Sequence, residues 1–269
     1  MSATKRRLDV IVLAPDKRVI RQSIEAGSET TSAAHLISCL MISRGEIYPT
    51  AFAIECFQRQ TFQNKELVIV TANTNGALKR YVESLGSHRM RYSQVPDWSL
   101  GTRRNISVGL ARGDLVATWD DDDLRHPRSL EFQYAGLTAP PAAIVCLMRL
   151  SLWEPARQRL AATEQRPWEN SLLGWKYQLP EYPSLDKRED THLVQAIAKT
   201  QAIALMDLPE LYVYAVHGKN TWESRHFDHF FSRATTRFEG GAYDRVLEQL
   251  NVHVPIRRYA ERMQKGNAT

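Results

Sequence analysis

The sequence predicts an α/β fold: a mostly parallel sheet with helices on both faces and a helical C-terminal tail. Two observations carry this. Apolar runs of strand length alternate with segments whose apolar residues recur at helical spacing. The strand runs are apolar throughout rather than alternating with polar residues, which is the mark of strands covered on both faces.

The alternation begins near residue 35. Residues 35–43 (HLISCLMIS) read as a buried strand and 51–60 (AFAIECFQRQ) as a helix. Residues 66–72 (ELVIVTA) are a second strand. Residues 76–86 are helical and close on Gly86, a residue suited to a helix C-terminus. Residues 88–95 alternate like a strand, and 100–113 form a helix closing on Gly113. Residues 114–119 (DLVATW) are a third apolar strand that runs into Asp120, Asp121, Asp122 and Asp123. A helix then starts near Pro127, which fits a first helical turn. Right-handed crossovers put parallel strand C-termini on one edge, where ligands bind. The aspartate run lies on that edge, and so do residues 71–75.

The second half is less regular. Residues 142–153 (AAIVCLMRLSLW) read as one strand, 189–200 as an amphipathic helix, and 211–216 as a strand ending at His217. From Glu223 onward the chain reads as two or three helical pieces. At the other end, the patch VIVLA reads as a short strand or packing segment, and the polar stretch 25–34 as a linker. Three units follow: an N-terminal segment and linker (1–34), a main domain (35–235) and a C-terminal helical extension (236–269).

Composition narrows the class. With 269 residues, 43 % hydrophobic and 24 % charged, the chain suits a folded, water-exposed protein. No stretch approaches the ~20 apolar residues that span a bilayer. The VIVLA patch is shorter than a signal-peptide core of ~7–15 residues and is followed by Asp16 and Lys17. A cytoplasmic protein is expected. Cys39, Cys56 and Cys146 are far apart and read as buried free thiols. The net charge of +5 suits a nucleotide diphosphate, an anionic membrane surface or a nucleic acid alike. Basic residues at both ends are compatible with a peripheral contact at the inner membrane face, or with solvated helix faces.

Four adjacent carboxylates repel one another, and their pKa values rise unless a cation is present. Mg²⁺ or Mn²⁺ joins one or two carboxylates to substrate phosphates. The spacing of Asp120 and Asp122 sends both side chains to one side of an extended strand end. The alternative is a solvated acidic turn ahead of the next helix.

The segment from Arg104-Asn105 through Ala111-Arg112-Gly113-Asp114, the aspartates and His126-Pro127 resembles the core of family-2 glycosyltransferases. Gln60 and Glu66-Leu67 stand in register upstream, Glu189-Asp190 and the LYVYAVHGKNTW stretch downstream. The resemblance covers roughly residues 35–230 and implies a GT-A, Rossmann-like fold. It implies a metal-dependent, inverting glycosyltransferase that takes a nucleotide-sugar, a UDP-sugar by default, and a glycan or lipid-linked acceptor, with a nucleic-acid acceptor open. Asp122 would ligate Mn²⁺ or Mg²⁺, with Asp120 orienting it and His217 as a further ligand. Ser43, Asn73, Arg104, Asp120 and Asp121 would contact the donor. Asp190, with Glu189 beside it, would be the base, and Trp168 and Glu169 would lie on the acceptor side. Each has a plainer alternative: Glu189 and Asp190 as helix-start charges, His217 as a strand-end histidine, Arg104 as a surface arginine, Trp168 as core.

The sequence departs from the family at two places. Residues 42–46 (ISRGE) replace a P-T-x-N-R-like stretch, and 71–75 (TANTN) replace a D-D-x-S stretch, leaving Asn73 to meet a base edge. A non-catalytic nucleotide-sugar or glycan-binding module is the main alternative. A sugar-phosphate nucleotidyltransferase is disfavoured, since no glycine-rich, basic phosphate loop follows the first strand.

Overall fold

A computed structural model describes residues 5–27 and 35–266. Residues 28–34 of the expected linker lie outside them. The elements in order are β1 (Arg6–Leu13), β2 (Val19–Ala26), β3 (Ile37–Ser43), α1 (Ile47–Gln58), β4 (Lys65–Thr71), α2 (Ala77–Ser84), β5 (Met90–Gln94), α3 (Leu100–Leu110), β6 (Leu115–Thr118), β7 (Leu124–Arg125) and α4 (Ser129–Thr138). There follow β8 (Ile144–Leu147), β9 (Ser151–Glu154), β10 (Arg159–Ala162), β11 (Trp168–Trp175), α5 (Glu189–Thr200), β12 (Ile203–Met206), β13 (Tyr212–Ala215), α6 (Ser224–Arg233), β14 (Thr236–Phe238), α7 (Gly241–His253) and α8 (Ile256–Gly266).

Two sheets form. The larger has the order β2-β1-β12-β8-β11-β6-β3-β4-β5, and the smaller β14-β10-β9-β13-β7. From β6 to β5 the large sheet is parallel, as the alternation of apolar strands and helices demands. β12 and β8 are also parallel, but β11 enters antiparallel between β8 and β6, and the β1–β2 hairpin closes the far edge antiparallel. The N-terminal segment therefore extends the sheet through β1 and β2.

Alternate strand residues face opposite layers. Cys39, Met41, Leu67 and Ile69 join the cluster containing Phe52, Ile54 and Phe57 of α1 and Leu130 and Leu137 of α4. Leu40, Val68, Val70 and Val116 turn the other way, against Ala111 and Val108 at the end of α3. Ile144, Cys146, Ile203 and Leu205 do the same against Leu193, Val194 and Ile197 of α5. The sheet is thus covered on both faces. The three cysteines are buried and free.

Several local expectations shift. Residues 142–153 do not form one strand: β8 lies in the large sheet and β9 in the small one, because the chain crosses between sheets at 148–150. α3 ends at Leu110 rather than Gly113, and α4 starts at Ser129, two residues past Pro127. The C-terminal tail includes the strand β14 among its helices. The aspartate run has the same bridging character as 148–150. β6 belongs to the large sheet and β7 to the small one, so residues 119–123 cross the gap outside any regular ladder.

Candidate active site

A cavity of about 310 Å³ opens over the end of β6. The aspartate run forms its floor. Ile42, Ser43 and Arg44 form one wall, α3 with Arg103 and Arg104 another, and residues 186–190 at the start of α5 a third. Asn220, Thr221 and Trp222, after β13, complete the rim.

Each aspartate is held separately. Asp120 receives Arg104 Nη2 at 3.3 Å and the Tyr212 hydroxyl at 3.1 Å. Asp121 Oδ2 accepts the Arg44 backbone N–H and the Thr50 hydroxyl, both at 3.3 Å. Asp122 Oδ2 meets His217 Nε2 at 3.0 Å, with Asn220 Nδ2 at 3.4 Å, and its backbone oxygen accepts the Tyr259 hydroxyl at 3.0 Å. Asp123 is buried, accepts the Ala215 backbone N–H at 2.9 Å and pairs with the Tyr212 hydroxyl.

The electrostatics follow from crowding four carboxylates in a partly dry site. Burial, with repulsion from Asp122 and Asp120, pushes Asp121 up to about 7. Burial also raises Asp120, against the pull of Arg104. Asp123 is driven well above the usual carboxylate range by burial and then by Asp122 and Asp120. Tyr212 has one hydroxyl proton for two carboxylates.

Across the cavity, Arg104 ties the run to α5. Its Nε donates to Glu189 Oε1 at 2.8 Å while Nη2 reaches Asp120. Gly101 permits this approach: a Cβ there would lie 1.8 Å from the Pro183 carbonyl oxygen, on the loop leading into α5. Glu189 is buried and paired with Arg104, with a pKa raised by burial against the pull of that arginine. Asp190, the next residue, lines the cavity, and its Oδ1 accepts the neighbouring Thr191 N–H at 2.7 Å. It is close enough for its charge to raise Asp120.

The structure brings most expected residues together: Ser43, Arg104, Asp120, Asp121, Asp122, Glu189 and Asp190 line the cavity, and His217 touches its floor through Asp122. Three are placed elsewhere. Asn73 gives its amide to the Arg44 carbonyl at 2.8 Å and braces that loop from behind. Gly45 makes room for it, with φ +83° and a would-be Cβ only 2.5 Å from Asn73. Trp168 is core, packed edge-on to Phe230, and Glu169 pairs with Arg166 at 2.8 Å. Asn170 is the residue of that strand that lines the cavity. The register of this strand shifts between Trp168 and Leu173, so simple alternation does not single out Asn170. Arg44, Lys187, Arg188 and Trp222 were missed in the sequence, since isolated cations and aromatics in loops carry no periodic signal.

Among the described residues no three His, Cys, Asp or Glu side chains converge into a ready metal cage. Asp122 and His217 do meet, at 3.0 Å, and offer one carboxylate and one imidazole beside repelling acids. That fits a Mg²⁺ or Mn²⁺ site whose remaining ligands are substrate phosphates and water.

A Rossmann-like sheet thus carries an acid run at its strand edge, facing a second acid pair across one cavity. The family described as Glycosyl transferase family 2 matches residues 38–182, more than half of the chain, so the chain belongs to glycosyl transferase family 2 and is a glycosyltransferase. Comparison with curated proteins gives no match. Among solved structures, S. aureus TarS 1–349 is similar at 15 % identity and a TM-score of 0.52, covering 74 % of this chain and 70 % of that one. That protein has also been solved with UDP and with UDP-GlcNAc. The mannosyltransferase PcManGT from Pyrobaculum calidifontis, solved with GDP-Man and Mn²⁺, is similar at 15 % identity and a TM-score of 0.54, over 69 % of this chain and 58 % of that one. Both likenesses establish the GT-A fold. Among the described residues, no helix is long and apolar enough to cross a membrane.

Proposed function

We propose that the chain is a metal-dependent, inverting glycosyltransferase. It would move a sugar from a nucleoside diphosphate donor, a UDP-sugar by default, to an acceptor hydroxyl. The observation that carries this is the opposition of two different acids across one cavity. Asp122 is paired with His217 on the floor, and Asp190 stands on the facing wall, its Oδ1 bonded to the backbone N–H and hydroxyl of the neighbouring Thr191.

Asp122 and His217 would hold Mn²⁺ or Mg²⁺. When bound, the ion supplies Lewis-acid stabilisation of the departing diphosphate. Arg104 keeps Asp120 oriented beside Asp122 and holds α5 in place through Glu189. Asp121, with Ser43 and Arg44 beside it, faces the donor side of the floor. Asp190 takes the proton from the acceptor hydroxyl as its oxygen attacks the anomeric carbon. The bond to the diphosphate oxygen breaks on the opposite face, and the product has inverted configuration. Glu189 is a positioning residue, since its carboxylate is consumed by Arg104.

The acceptor is a glycan or a lipid-linked glycan, with a nucleic acid as the outcome to test against. The buried free thiols suit a reducing, cytoplasmic compartment, with basic surface near the inner membrane face. A thermal-shift screen of nucleotide-sugars with Mn²⁺ tests the donor site. One donor should stabilise the protein by a margin set by its affinity, and Asp122→Ala should abolish the shift. Equal shifts in both proteins would overturn the assignment.

A further inference from the structure

We infer that Tyr259 is a positioning residue for Asp122, so that the C-terminal helix α8 is a working part of the donor site. This role rests on Asp122 carrying the metal, as proposed above.

Residues 119–123 cross between the two sheets; the Trp119 N–H still bonds the Leu40 oxygen of β3 at 3.0 Å, but Asp122 lies beyond that ladder. Backbone oxygens in such a segment depend on side chains or solvent for hydrogen bonds. The Asp122 oxygen is served by the Tyr259 hydroxyl at 3.0 Å, from 137 residues further along the chain. The Asp122 carboxylate is held by His217 and Asn220. The residue is thus gripped from two separate late segments, its backbone by Tyr259 and its carboxylate by His217 and Asn220.

Tyr259 is itself fixed. It is fully buried, with its ring 5.4 Å from that of Phe52 and 5.9 Å from that of Trp153. Its carbonyl accepts the Tyr48 hydroxyl at 3.1 Å. Tyr48 and Phe52 belong to α1, and the same helix carries Thr50, which donates to Asp121. Arg258 adds an ion pair to Glu55 of α1. Docking α8 on α1 therefore places one hydroxyl under Asp122. Packing alone would be met by phenylalanine. Among the described residues, the hydroxyl's hydrogen-bond partner is the Asp122 oxygen, so its bond serves Asp122.

The test compares two single-hydroxyl deletions in the same cluster. Mn²⁺ binding by the full chain, in the presence of UDP, is read from loss of the free-Mn²⁺ EPR signal, beside the melting temperature. Tyr259→Phe should weaken Mn²⁺ binding about tenfold, the scale of losses on removing partners of metal ligands. Tyr48→Phe removes a hydroxyl that holds α8 but does not touch Asp122. It should lower the melting temperature by a similar amount and leave Mn²⁺ binding unchanged. If Tyr259→Phe binds Mn²⁺ like the parent, or if both variants weaken it alike, Tyr259 is structural only and the inference falls. If the parent binds no Mn²⁺, or Asp122→Asn binds it equally, the metal reading falls and takes this inference with it.

Discussion

The two acidic walls of the cavity are fixed by opposite means. The aspartate run is irregular and is held from outside: Arg104 and Tyr212 on Asp120, Thr50 and Arg44 on Asp121, His217 and Tyr259 on Asp122, Ala215 on Asp123. Glu189 and Asp190 instead open a regular helix. Successive helical residues point about 100° apart, so the helix itself sends Glu189 inward to Arg104 and Asp190 toward the cavity. The difference teaches which property each wall needs. A ligand for a cation has to be immobile, whereas a base must approach a bound hydroxyl and keep an unpaired oxygen. In the proposed mechanism Glu189 spends its charge on Arg104, and Asp190 is the acid left facing the cavity.

The sharpest break would come at Asp190. Asp190→Asn keeps the shape and the Thr191 contact but removes the base, so kcat should fall about 10³-fold. Donor binding and melting temperature should stay at the parent's values. If Asp190→Asn melted early with normal turnover, the two neighbours would have exchanged roles.

Glu189→Gln should do the reverse. It removes a buried charge from the 2.8 Å pair with Arg104, and breaking such a pair costs about 3 kcal/mol. Chemical denaturation should show that loss, and kcat should drop far less than for Asp190→Asn.

On the opposite wall, Tyr212→Phe deletes the hydroxyl between Asp120 and Asp123. The cost should be about 1.5 kcal/mol, read by the same denaturation. Apparent Mn²⁺ affinity should fall as well, because Asp120 loses one of its two anchors. Unaltered metal dependence would mean that the run does not need outside grip.

The smallest effect at neutral pH concerns His126, which anchors the run's far side by donating its backbone N–H to the Leu211 oxygen. Its Nδ1 accepts the Arg128 N–H at 3.0 Å. Burial, then His253 and nearby arginines, lowers its pKa to about 4. An unfolded histidine protonates near 6.5, so the unfolded chain gains the proton first as pH falls. The contribution is complete above about pH 6.5 and is lost on descending to about 4, a span worth about 3 kcal/mol. Melting curves from pH 7 to 4 should show this slope in the parent and a shallower one in His126→Gln.

Much of this was legible in the sequence because it is local. Strand-length apolar runs and 3.6-residue spacing gave β3 to β6 and the helices between them. An acid run after a buried strand can lie only at the ligand edge of such a sheet. What was hidden depends on chain crossings that leave no local period. The segment 142–153 is continuously apolar and hides the switch from β8 to β9. The VIVLA patch read as a short strand or packing segment, but its place at the sheet edge stayed hidden, since edge pairing is set by partners such as Met206, far along the chain, and β2 has no apolar run. Trp168 drew attention as an aromatic, yet its apolar ring favoured the core, and Asn170 took the cavity. Tyr259, inside what read as a terminal extension, reaches Asp122 by a contact that no motif encodes.

The proposed chemistry is metal-assisted donor cleavage with Asp122 on the floor of the cavity and Asp190 opposite. Release of nucleoside diphosphate from a panel of nucleotide-sugars, with Mn²⁺ or with EDTA, tests it directly. One donor should be cleaved with Mn²⁺, EDTA should stop the release, and Asp122→Asn should lower it about 10²-fold or more with Mn²⁺ present. Equal release in EDTA, or equal release by Asp122→Asn, would contradict the account.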